Sequence, residues 1–99
     1  MTASRILQEV AEAIGSQKTK KPLSAFVFGS SLNPEVAWSD IDILVVYACE
    51  ADAASIKIAL AYLCEQFPIH LTILMEEEET ELKFIASQQC RWLASTSIA

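Results

Sequence analysis

The sequence is poor in the residues that interrupt a chain or cross-link it. It holds two glycines, three prolines and three cysteines among 99 residues, and no linker rich in proline, glycine and serine divides it. The cysteines are odd in number and far apart, which favours structural thiols in a reducing compartment over a disulfide or a zinc site. We therefore expect a single domain over residues 1–99.

Long apolar runs are missing as well. No stretch reaches the roughly eighteen residues of a membrane-spanning helix. The N-terminal residues 1–15 follow an amphipathic pattern without the continuous apolar centre of a signal peptide. These two absences predict a cytoplasmic protein without membrane contact.

Positive charge is scarce: the chain has seven Lys and Arg residues but thirteen Asp and Glu residues, so its formal net charge is -6. A protein that holds a nucleic-acid backbone needs an electropositive surface, so nucleic acid is not an expected partner. The one basic cluster comprises Lys18, Lys20 and Lys21. Two interpretations fit it, a solvated loop and a contact with phosphate.

What the chain does contain is apolar residues, 53% of the total, which is ample for a core. Their spacing predicts a helix over 3–14, strands over 24–28 and 40–47, a helix over 52–67 and a strand over 69–75. A last helix is predicted to begin in the acidic residues 76–81 and to include Trp92 and Leu93. This order predicts an α/β (α+β) fold, in which helices pack on a small mixed β-sheet.

Two aspartates interrupt the second predicted strand. Asp40 and Asp42 are two residues apart and so project from the same face of that strand. Adjacent carboxylates repel unless a cation or hydrogen-bond donors compensate them. Magnesium prefers a pair of carboxylates and completes its shell with water and phosphate oxygens. The structural alternative is that both aspartates cap the end of a strand.

The segment before the aspartates has the residues that a triphosphate needs. Gly29 directly follows the first predicted strand and lets the backbone turn close to a ligand. Ser30 and Ser31 come next, and their hydroxyl and free N–H groups can bind phosphate oxygens. Phosphate donors opposite metal ligands suit phosphoryl or nucleotidyl transfer, where charge neutralisation and positioning dominate.

Gly29 and Ser30, followed after nine residues by Asp40-Ile41-Asp42 between apolar strands, form a recurring pattern. In it the chain resembles the minimal nucleotidyltransferase (MNT) domains of the DNA polymerase β-like superfamily. The resemblance implies a palm-like fold and Mg²⁺-dependent transfer of a nucleoside monophosphate, usually AMP from ATP, to an acceptor. It also implies that Gly29 and Ser30 hold the triphosphate and that Asp40 and Asp42 hold the metal.

The chain departs from this pattern on the third predicted strand, where the family carries another carboxylate. The corresponding residue is His70, the only histidine. It can line the site without taking part, replace the carboxylate as a base or ligand, or have an unrelated packing role. Glu76 or Glu77 reaching back is a further alternative. After the Gly-Ser pair many minimal members have an arginine, whereas this chain has Ser31.

Two functions therefore compete. The first is an active nucleotidyltransferase whose acceptor comes from a second chain, because 99 residues leave little surface beyond the palm. The resemblance implies a helical HEPN-type partner, as in toxin–antitoxin pairs, and a second copy of the chain is the alternative. The second function is a degenerate module that binds nucleotide or protein without turnover, since the third carboxylate is absent.

Overall fold

The structure is a computed structural model that describes residues 3–29 and 41–98. The helices of this part are α1, α2, α3 and α4, and the strands are β1 to β6. In chain order, their bounds are α1 Ala3–Gly15, β1 Lys18–Thr19, β2 Ser24–Phe28, β3 Ile41–Tyr47, α2 Glu50–Gln66, β4 Ile69–Met75, α3 Glu76–Leu82, α4 Phe84–Ser87, β5 Arg91–Ser95 and β6 Ser97–Ile98.

The sheet is mixed, as the sequence predicts. Its strand order is β4-β3-β2-β5, and the short strands β1 and β6 pair separately. Strand β3 is parallel to β4 and antiparallel to β2, which is in turn antiparallel to β5. Helix α2 makes the crossover between the two parallel strands. None of the helices in the described residues is long and apolar enough to cross a membrane.

The core lies on one face of the sheet, beneath α1 and α2. Alternate residues of β3, Ile41, Ile43 and Val45, are fully buried there. Side chains of both helices complete the cluster, among them Ile6, Val10, Ile14, Ile56 and Leu60. Each such side chain contributes about 1.5–3 kcal/mol relative to an exposed one. This burial fixes which way β3 faces, so the residues between, Asp42, Leu44 and Val46, point to the opposite face.

The predicted C-terminal helix is wrong in its second half. The acidic run does begin a helix, α3, but the backbone of Lys83 and Gln89 is left-handed, with φ of 49° and 51°. These two residues interrupt the helical path, and the N–H of Cys90 turns back to the C=O of Ile85 at 2.9 Å. The residues that follow form β5, in which Trp92 pairs with Phe26 of β2. Pairing with a distant strand therefore overrides the helical spacing.

The basic loop is held at the far end of the sheet. Asp52, buried in the first turn of α2, accepts hydrogen bonds from the backbone N–H groups of Lys20 and Lys21 at 3.0 and 3.1 Å. Helix α2 begins just after β3 ends, five residues or about 17 Å along the strand from Asp42. The lysine side chains are exposed. This separation favours the solvated-loop interpretation over a phosphate contact beside Asp42.

Candidate functional site

The candidate site is a row across the sheet, where β2 ends and β3 and β4 begin. Phe28, the last residue of β2, pairs with Asp42, and Asp42 pairs in turn with His70 of β4. Gly29 follows Phe28 directly. Neighbouring strands lie about 4.8 Å apart. The fold therefore brings the predicted turn glycine, one of the predicted aspartates and the histidine into one row.

Gly29 and Asp42 are in direct contact. Gly29 has a φ of +73°, a conformation that residues with a side chain rarely adopt. A Cβ atom at this position would overlap the Oδ2 atom of Asp42 and lie 3.3 Å from its Cγ atom. Two independent constraints, backbone conformation and lack of space, thus require glycine here. The half-buried carboxylate of Asp42 lies where the absent side chain would be.

Local contacts hold this end of the sheet together. The N–H of Ile41 donates to the C=O of Pro68 at 2.8 Å, which ties the start of β3 to the residue before β4. On the face that carries Asp42, the ring of Phe28 meets Phe84 edge to face, with centroids 5.1 Å apart and an interplanar angle of 85°. The strand that carries Asp42 is therefore held on both sides: its start is bonded to the residue before β4, and the end of its other neighbour, β2, is packed against α4.

His70 is exposed on β4, at the position opposite Asp42. Thr72 is two residues further along and shares its face. The alternative that Glu76 or Glu77 reaches back is wrong, because α3 begins at Glu76, six residues beyond His70. At about 3.3 Å per residue this distance is roughly 20 Å along the strand. His70 is therefore the neighbour that β4 supplies at the level of Asp42.

Three of the predicted site residues, Ser30, Ser31 and Asp40, lie outside the described residues. Their roles stay predictions, as does the pairing of the two aspartates. Within the described ranges no group of three or more potential metal ligands occurs. Asp42 offers the carboxylate oxygens that magnesium prefers, whereas His70 would add a nitrogen, which suits magnesium poorly. The described residues thus fit one half of a magnesium site.

Sequence reasoning missed the aromatic contact beside the site. Phe84 belongs to the short helix α4, far along the chain from Phe28. The only signal in the sequence was an apolar pair, Phe84 and Ile85, just after the acidic helix. The prediction of a single continuous C-terminal helix obscured it, since that helix would not have turned at Lys83.

Comparison with known proteins gives one result that agrees with this geometry. Neither the curated proteins nor the solved structures contain a significant match. A family model does match: the Nucleotidyltransferase domain, over residues 5–93 of the 99. The matched range includes the whole row from Gly29 through Asp42 to His70 and nearly all of the fold. The chain therefore belongs to the nucleotidyltransferase domain family, whose members transfer a nucleoside monophosphate from a nucleoside triphosphate and generally use a divalent metal.

Proposed function

We propose that the chain is a Mg²⁺-dependent nucleotidyltransferase that moves AMP from ATP to an acceptor on a second polypeptide. The observation that carries this proposal is the contact between Gly29 and the carboxylate of Asp42. It joins the backbone turn expected at the triphosphate to a carboxylate expected at the metal. Family membership over residues 5–93 supports the reaction class.

The reaction is a displacement at the α-phosphorus of ATP. An acceptor hydroxyl oxygen forms a bond to that phosphorus, the bond to the oxygen bridging the α- and β-phosphates breaks, and pyrophosphate leaves with its electron pair. Magnesium, bound at Asp40 and Asp42, would neutralise the charge of the phosphates. Gly29 and Ser30 bind and orient the triphosphate, with Ser31 as a further donor.

The proton of the acceptor hydroxyl also needs a destination. In this proposal it goes to a ring nitrogen of His70, because the imidazole lies opposite Asp42 and a neutral imidazole accepts protons. The position on β4 is the one at which the family resemblance expects a carboxylate. His70 thus replaces that carboxylate as the base, without adding an oxygen ligand for magnesium.

Labelled ATP tests the proposal. The chain is incubated with Mg²⁺, a HEPN-type partner protein and ATP that carries the label on either the α- or the γ-phosphate. We expect the α-label to move to the partner and the γ-label to leave as pyrophosphate. Asp42→Asn should abolish the transfer, whereas Glu81→Gln, the same chemical change on the exposed side of α3, should not. Transfer of the γ-label, or full activity of Asp42→Asn, would contradict the proposal.

His70 also favours a second candidate, a degenerate module that binds nucleotide without transferring it. Thermal-shift titration and the labelling assay together distinguish the enzyme from the binding module. Stabilisation by ATP that requires both Mg²⁺ and Asp42, without transfer of the α-label to any acceptor, would identify a binding module. If neither ATP nor the Asp42→Asn exchange changes the melting temperature, the chain is a module that binds protein alone.

A further inference from the structure

Strand β4 is an unprotected edge of the sheet. Within residues 3–29 and 41–98 no strand pairs with it on the side away from β3. Its sequence, IHLTILM, contains no carboxylate, lysine, arginine or proline, and its register with β3 is unbroken over all seven residues. Proteins normally protect such an edge with charge, proline or a bulge, because its open backbone groups attract another strand.

The opposite edge has the protection that β4 lacks. Strand β5 begins with the exposed, charged side chain of Arg91. Its pairing with β2 is interrupted by a register shift between Ala25 and Phe26. Both features discourage edge-to-edge association. The lack of protection is therefore specific to β4 and not a general property of this sheet.

The hydrogen bonds of β4 identify which backbone groups are open. Ile41 donates to Pro68 and pairs with Ile69, so in the parallel pattern the groups of Ile69 and of every second residue after it point away from β3. The two end donors of this set have local acceptors. The N–H of Ile69 donates to Phe67 at 2.8 Å, and that of Met75 donates to the Oε1 atom of Glu78 at 3.0 Å.

Within the described part of the chain, the outward-pointing backbone N–H groups that have no acceptor are consequently those of Leu71 and Ile73, on either side of Thr72. We propose that two copies of the chain form a symmetric dimer in which their β4 strands pair antiparallel, with Thr72 on the twofold axis. Leu71 then exchanges two N–H···O bonds with the partner's Ile73, and Ile73 does the same with the partner's Leu71. This register is the one in which both open residues are satisfied by the same two residues of the partner.

The register favours a second copy of the chain as the occupant, because the edge is complementary to itself, and at this edge charge does not oppose the pairing. Each copy carries a net charge of -6, so most approaches of two copies are repulsive. The β4 edge has no acidic residue, and antiparallel pairing moves the acidic run Glu76–Glu79 of each copy to opposite ends of the seam. The side chains that meet are apolar or threonine, apart from His70, which lies opposite the partner's Leu74.

The dimer would place both candidate sites on one face of an eight-stranded sheet. Strand spacing of about 4.8 Å and a rise of about 3.3 Å per residue put the two Asp42 residues roughly 20 Å apart. The inference concerns association alone and does not depend on nucleotide transfer. An inactive chain could still dimerise in this way, and an active one could fail to.

Sedimentation velocity over a range of concentrations tests the dimer. We expect the wild-type chain to dimerise and Thr72→Lys to weaken the association by about tenfold or more, because two ammonium groups would meet across the axis. Thr80→Lys makes the same charge change on the exposed side of α3 and should leave the association unchanged. A chain that is monomeric throughout, or a dimer that both variants affect equally, would overturn the proposal.

Two further measurements test the register. In Thr72→Cys the new thiols should form an intermolecular disulfide on oxidation. The two residues at position 72 form a non-hydrogen-bonded antiparallel pair, in which the Cα atoms are about 4.5 Å apart. Thr80→Cys should not form this disulfide. In hydrogen exchange, the amides of Leu71 and Ile73 should gain protection as concentration rises, whereas those of His70 and Thr72 should be protected throughout. Protection of Leu71 and Ile73 only on addition of a different protein would assign the edge to that protein and refute the dimer.

Discussion

The exchange of Gly29 for alanine tests the contact on which the candidate site depends. At a φ of +73°, an alanine costs about 1–2 kcal/mol of backbone strain. Alanine also makes the unfolded chain less flexible than glycine does, which offsets about 0.4–1 kcal/mol of this cost. The net loss in the free energy of unfolding is about 1 kcal/mol, which lowers Tm by about 4–8 °C in a domain of this size.

The effect on ligand binding should exceed the effect on stability. The new Cβ would overlap the Oδ2 atom of Asp42 and lie 3.3 Å from Cγ, so the carboxylate must rotate out of its place. A lost contact to a charged group costs about 1.5–3 kcal/mol. We therefore expect Mg²⁺-ATP to bind about tenfold to a hundredfold more weakly to Gly29→Ala, since 1.4 kcal/mol corresponds to about tenfold.

Gly15, the other glycine of the chain, provides a matched control. It ends α1, and a Cβ atom there would have no atom within 4 Å. Gly15→Ala should be neutral or stabilise the fold by up to about 1 kcal/mol, and it should not change ATP binding. Urea denaturation measures the stabilities, and thermal-shift titration measures the binding. Wild-type ATP affinity in Gly29→Ala would refute the argument that this glycine makes room for the carboxylate of Asp42.

Three other outcomes are expected. Asp52→Ala should lower the free energy of unfolding by about 1–3 kcal/mol in urea denaturation, because two backbone N–H groups of the loop before β2 lose their acceptor; a loss no larger than that of Asp52→Asn would count against this. His70→Asp should lower transfer of the α-label, since it removes the imidazole that takes the proton of the acceptor hydroxyl; an increase would count against the imidazole as the base. Burial raises the pKa of the Cys64 thiol, so stability should fall as pH rises from about 8.5 through that raised pKa, and urea titrations of Cys64→Ala should lack this part of the slope.

The part of the fold that surrounds the site could be predicted from the sequence. In β3 Asp42 lies between the buried residues Ile41 and Ile43, and a one-residue slip would turn its carboxylate into the core. The register therefore follows from burial, and with it the placement of Asp42 away from the core. Because β4 is parallel and begins just after Pro68, its first residues had to lie beside the start of β3.

The C-terminal part could not be predicted in the same way. Leu82, Ile85, Trp92 and Leu93 have helical spacing, but Trp92 and Leu93 belong to a strand that pairs with β2. The chain turns at Lys83 and Gln89, and neither is a glycine that would have signalled a left-handed backbone. The contact of Phe84 with Phe28 depends on these turns. The structure of this region is set by pairing between distant strands, which the local spacing of apolar residues does not reveal.

The position of His70 bears on the choice between an enzyme and a binding module. The bond from Ile41 to Pro68 and the unbroken β3–β4 register fix the backbone of His70 opposite Asp42. Glu76, the first acidic residue after it, is roughly 20 Å further along the chain. A third carboxylate at this level of β4 is therefore excluded by the backbone, and in the described part of the chain the imidazole is the base that β4 offers there. An enzyme built on this site therefore needs the imidazole of His70 for the proton of the acceptor hydroxyl, whereas a module that only binds nucleotide does not.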